Sequence, residues 1–151
     1  MEYRFKMILP VVGMFLLFGA VTLVIVGSQN KELKQPLPAS LDNLAAIKLV
    51  EIRDAGGQVV LSGSFTMTTT KDNGDIEEEA PLKATAVDSN AEGKAEVEVS
   101  TKKGTVEKEL EIDVPKLNPG ATFSLFVDGQ QITAFSTNQQ GNAELEMTNK
   151  P

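Results

Sequence analysis

The chain has 151 residues, a formal net charge of −7, and no Cys, His or Trp. It therefore has no disulfide staples, and it lacks the commonest general base, the commonest metal ligand and the best stacking platform for bases. Residues 29–151 carry 12 Lys/Arg against 20 Asp/Glu, a surface that repels phosphate backbones, so no nucleic-acid partner is expected.

Residues 1–6, Met-Glu-Tyr-Arg-Phe-Lys, form a short polar tail. The 21 residues from Met7 to Gly27 contain no charge. As a helix that run would span about 30 Å, the thickness of a hydrocarbon core. Pro10, Gly13, Gly19 and Thr22 interrupt it, and all are tolerated in membrane helices. Residues 7–28 are therefore predicted to be a transmembrane anchor. The rival is a cleaved signal peptide, which would release a secreted domain. Its apolar region should be only about 7–15 residues, and Val26-Gly27-Ser28 is a poor cleavage site. Arg4 and Lys6 precede the run and Lys31 and Lys34 follow it, so the positive-inside rule barely discriminates. The shortness of the tail favours a cytoplasmic N-terminus and an extracytoplasmic domain, periplasmic or extracellular.

Residues 29–46 read as a linker. Pro36 and Pro38 argue for extended chain, and Leu41 to Ala46 could form one helical turn. From Ile47 the hydrophobic period is two. A first strand around Ile47–Ile52 ends at Asp54-Ala55-Gly56-Gly57, a hairpin turn, and resumes at Val59-Val60-Leu61. Residues 68–81 are polar and read as a long hairpin tip turning at Asn73-Gly74, with Leu82, Ala84 and Ala86 returning.

The clearest alternation follows. Ala95, Val97 and Val99 face one way, with Lys94, Glu96 and Glu98 opposite. After Lys103-Gly104, Lys108, Leu110, Ile112 and Val114 alternate with Glu107, Glu109, Glu111 and Asp113. A one-residue slip would bury those carboxylates, so the register is tightly specified. Phe123 to Val127 is a central strand, Asp128-Gly129 a two-residue hairpin turn, Ile132 to Phe135 the return, and Ala143, Leu145 and Met147 the last strand. Phe123, Leu125, Phe65 and Phe135 are core candidates; Phe126 points the other way. Seven or eight short strands and no helical period predict an all-β domain over 47–151, an antiparallel β-sandwich.

Gly93-Lys94-Ala95-Glu96-Val97-Glu98-Val99 resembles Gly141-Asn142-Ala143-Glu144-Leu145-Glu146-Met147, and each is preceded by a hairpin, at Asp54–Gln58 and Asp128–Gln130. A duplicated hairpin-plus-strand unit is one explanation; the general likeness of strands after turns is the other. The series Leu117-Asn118-Pro119-Gly120-Ala121-Thr122-Phe123, then Val127-Asp128-Gly129-Gln130, then Gly141-Asn142-Ala143-Glu144-Leu145 resembles small bacterial membrane-anchored extracytoplasmic β-domains of uncharacterised function. The resemblance covers roughly residues 47–148. It implies a fold and no catalytic residue.

Candidate chemistry is sparse. Ser62, Ser64 and Ser100 with Lys83, Lys102 and Lys103 form no recognisable nucleophile motif. Glu96/Glu98, Glu107/Glu109/Glu111/Asp113 and Glu144/Glu146 are carboxylates two apart on strands, hence on shared faces. A catalytic or cation-binding pair would need burial to tune it; alternation with the core predicts a solvated face instead. Asp72-Asn73-Gly74-Asp75 resembles a calcium-loop fragment, yet Lys83 stands where the twelfth-position Glu would be. No catalytic, cofactor or metal residue is assigned. The expectation is a non-catalytic, membrane-tethered binding or structural module of the cell envelope with an envelope protein as partner. A secreted form and a carboxylate-based cation-binding or hydrolytic domain are the alternatives.

Overall fold

The computed structural model describes residues 32–66 and 74–150. The expected tail and transmembrane segment lie outside those residues. Among the described residues no helix is long and apolar enough to cross a membrane.

The domain is all-β. Its nine strands are β1 (Leu33–Pro36), β2 (Leu49–Asp54), β3 (Val59–Ser64), β4 (Ile76–Ala84), β5 (Glu92–Lys102), β6 (Thr105–Val114), β7 (Thr122–Val127), β8 (Gln130–Ser136) and β9 (Ala143–Thr148). They form one sheet in the order β1-β9-β6-β5-β4-β3-β2-β7-β8, curled into a half-barrel. The expectation of a two-sheet, wholly antiparallel sandwich is corrected on two points. The sheet is continuous, because β3 and β4 remain paired at Leu61↔Ala84 and Ser62↔Lys83. In addition, β1 runs parallel to β9. Period-two patterning reports that a strand has one buried face; it does not say whether a second sheet or the same sheet covers that face.

The β3–β4 joint is short for a local reason. Pro81 has no N–H to donate to a ladder. At Gly63 an added Cβ would lie 2.6 Å from the Pro81 carbonyl oxygen, so only glycine allows the strands to cross this closely. The core stays continuous across this joint.

Two predicted boundaries are corrected. From residue 33 onward the supposed linker 29–46 is built into the domain. Leu33 to Pro36 pair with Leu145 to Thr148, and two single-turn 3₁₀ helices, Ala39–Leu41 and Leu44–Ala46, bury Leu41 and Leu44. Both leucines join the core cluster of the sheet. Second, the supposed loop 68–81 contains strand from Ile76. Its carboxylates hid it, since Glu77 and Glu79 are exposed while Ala80 and Leu82 are buried. Of that segment, residues 67–73 lie outside the description.

The inner face follows the alternation read from the sequence. Val50, Ile52, Leu61, Val97, Leu110, Ile112, Val114, Leu125, Leu145 and Met147 are essentially inaccessible. Val99 is half-buried and packs against this cluster. Phe123 and Phe135 are buried and stack 5.9 Å apart. Phe65 packs partly buried against the core. Phe126, on the outer face, is half-buried beneath Arg53, whose guanidinium lies 4.1 Å from the ring centroid. The two similar segments fall on β5 and β9, which flank β6 on either side. The two similar hairpins, β2–β3 and β7–β8, lie side by side through the β2–β7 ladder.

Candidate functional site

The register of β4, β5, β6 and β9 sets carboxylates in rows on the outer face. Glu79 stands opposite Glu96, Glu96 opposite Glu111, and Glu111 opposite Glu146. The next row runs Glu77, Glu98, Glu109. Like charges placed directly across strands repel. Lysines partly offset this: Lys94 reaches Glu96 at 3.4 Å, Lys102 reaches Glu107 at 3.2 Å, and Lys150 reaches Glu98 at 3.3 Å and Glu109 at 2.9 Å. Glu111, mid-row, has its carboxyl pushed up by partial burial and by the neighbouring Glu96, Glu144 and Glu109, with Lys94 opposing. The Lys94 ammonium is held up by its hydrogen bond to Glu96. Burial disfavours the charged form of Lys150, but its bonds to Glu109 and Glu98 outweigh that and raise it.

At the edge of this face Lys34 on β1 lies 2.5 Å from Glu146 and 3.1 Å from Glu32. The hydrogen bond between Glu32 and Glu146 raises the Glu32 carboxyl and lowers that of Glu146; both bonds raise Lys34. Glu146 is the one carboxylate of the face that is buried, at 9% exposure. The expectation of a solvated face fails there because β1, absent from the strands read in the sequence, covers it. Among the described residues no group of three or more acidic side chains could hold a metal ion.

The remaining sequence candidates are explained by structure. Ser62 and Lys83 are cross-strand neighbours, but their side chains make no hydrogen bond to each other. Ser100 is buried opposite Glu107, and its hydroxyl finds no partner. Asp75 accepts the Thr101 N–H at 3.1 Å, tying the start of β4 to β5; Asp72 and Asn73 are outside the description. Asp128 adopts a positive φ of 48°, and its Oδ1 accepts the N–H groups of Lys48 and Leu49 at 3.1 and 2.9 Å. Its role is to fasten the β7–β8 turn to the start of β2.

A feature that sequence reading missed lies where the sheet fails to close. Strands β1 and β8 are its two ends. They are joined by a side-chain bond from Gln35 Nε2 to Thr133 Oγ1 at 3.4 Å. Beside it is a cleft of about 220 Å³ with Leu33, Phe135, Ala143 and Leu145 among its apolar lining and Glu32, Asp113 and Glu144 among its acids. Among the described residues no basic side chain lines it. The signal was unreadable because Leu33–Pro36 carry Pro36 and only one apolar position besides, Leu33, too little for a strand by pattern.

No family model, curated protein or solved structure matches this chain. The turn-motif resemblance therefore rests on its residues alone, and those residues are accounted for by turn geometry such as the positive φ of Gly120, Gly129 and Gly141.

Proposed function

We propose that the chain is a non-catalytic, membrane-tethered extracytoplasmic binding or structural module of the cell envelope, anchored through residues 7–28. The observation that carries this reading is the 21-residue uncharged run ending at Gly27. The start of β1 at Leu33 sharpens it. With residues 33–46 consumed by the domain, four residues, 28–31, separate the run from the first described residue. Such a tether reaches on the order of 14 Å, so the module would sit close to the bilayer. The cleft opens at the end of the sheet where the chain enters, beside Glu32.

The experiment is alkaline carbonate washing of membranes containing the full-length protein, with mass spectrometry of the chain. Retention in the pellet with residues 1–28 intact supports the anchor. A mature chain beginning at Gln29 in the soluble fraction overturns it in favour of a secreted domain.

A further inference from the structure

We propose that the cleft between β1 and β8 binds an extended basic peptide segment of a partner protein, which adds as a strand along the open seam and places a Lys or Arg side chain against Glu32, Asp113 and Glu144. This rests on the reading of the chain as a binding module and names the chemistry of its partner. Leu33 and Phe135 line the same cleft, and Gln35 reaches Thr133. The two strands therefore run antiparallel across the seam, as neighbours in a closed barrel would. Among the described residues no backbone hydrogen bond joins them, since β1 pairs with β9 and β8 with β7. Each is an edge strand whose outer backbone groups no other described strand pairs, although Pro36 of β1 has no N–H to offer, so β8 supplies most of the open donors. Exposed rows of this kind are templates for strand addition.

The occupant's charge follows from the lining. Among the described residues, three carboxylates and no basic side chain surround an apolar floor. Asp113 and Glu144 stand opposite each other on β6 and β9, and neither makes an ion pair among the described residues. Lys94 stands opposite Asp113 on β5, but its ion pair is with Glu96, so Asp113 and Glu144 keep a like-charged neighbour that a cation between them would offset. Lys34 is close, yet Glu32 and Glu146 already engage it. A side chain with an apolar stem and a cationic head suits such a site, its stem on Phe135 and Leu33 and its head at the carboxylates. The volume is right for one such side chain and too small for a folded domain. The main chain of the peptide would then lie along the seam, taking the backbone groups that the sheet leaves open.

The test uses the full-length protein in a non-ionic detergent and a fluorescein-labelled, end-capped hexapeptide of alternating lysine and valine, followed by anisotropy. Saturable binding is expected, with no binding of the glutamate–valine counterpart. Alternate N-methylation, which removes backbone donors and keeps the charge, should weaken binding at least tenfold. Glu32→Lys/Glu144→Lys should do the same with an unchanged circular dichroism spectrum. Glu77→Lys/Glu79→Lys, on the same acidic face but away from the cleft, should change affinity less than twofold. An equal loss in that second variant would show diffuse charge attraction and overturn the proposal. So would undiminished binding of the N-methylated peptide, or full competition by lysine amide alone at the same concentration. Absence of any binding would overturn the peptide proposal while carbonate extraction still decided the anchor independently.

Discussion

The two halves of the curled sheet bury the same kind of inner face and present opposite outer ones. In β4, β5, β6 and β9 the outward positions are rows of Glu and Asp. In β3, β2, β7 and β8 they are largely Ser, Thr and Gln, with one charge pair, Arg53 to Glu51 at 2.6 Å, laid over Phe126. The neutral half satisfies its outer side chains locally, as in the hydroxyl pair Thr122–Ser136 at 3.1 Å and the Gln131–Ser124 bond at 3.3 Å. The acidic half relies on Lys34, Lys94, Lys102 and Lys150. The difference teaches that packing is set by the shared inner face, while the outer face is free to carry charge.

The sharpest way to break this comparison is to cut the core in each half. Ile112→Ala on β6 and Leu125→Ala on β7 both truncate side chains with no exposed surface, and each should cost about 2–5 kcal/mol. Urea unfolding should show one transition in both variants. Two separated transitions would mean that the halves do not share a core. Val97→Ala, a smaller cavity on β5, should cost about 1–3 kcal/mol in the same assay.

Asp128→Ala comes next. It removes the acceptor of two N–H groups and puts Ala at a positive φ. A loss of about 1–2 kcal/mol is expected. Asp128→Gly should recover the conformational part alone, so a thermal melt of the pair separates strain from hydrogen bonding.

Glu111→Gln tests the acidic rows. The folded-state carboxyl is raised above its usual 4.5, so the folded protein binds this proton more readily than the unfolded chain. Stability therefore increases as pH falls through the window just above 4.5, and the ionised form is the unfavourable one at pH 7. Glu111→Gln should stabilise at pH 7 by about 0.2–1 kcal/mol, and the gain should vanish as pH is lowered toward 4.5. Glu146 has the opposite sign. Its lowered carboxyl contributes stability above 4.5 that is lost as pH falls through its folded-state value. The smallest effects should come from Glu96→Ala and Glu98→Ala, each under about 0.5 kcal/mol. A cost above 2 kcal/mol for either, in denaturant titrations, would reveal a buried partner and make the acidic face a working site.

Composition and alternation alone determined the all-β class, the inner-facing residues of β5 and β6, and the Lys103-Gly104 and Asp128-Gly129 turns. Those signals are local: a period of two and a positive-φ turn are properties of a few adjacent residues. What only the tertiary structure decided is long-range. Leu33–Pro36 became a strand because β9, more than a hundred residues away in sequence, offered it a free edge. Ile76–Ala84 became one despite its glutamates because Ala80 and Leu82 found the core while Glu77 and Glu79 stayed in water. The cleft exists because the sheet curls far enough for Gln35 to touch Thr133 and stops short of backbone pairing. Curl is the sum of twist over nine strands, and no single stretch of sequence carries that sum.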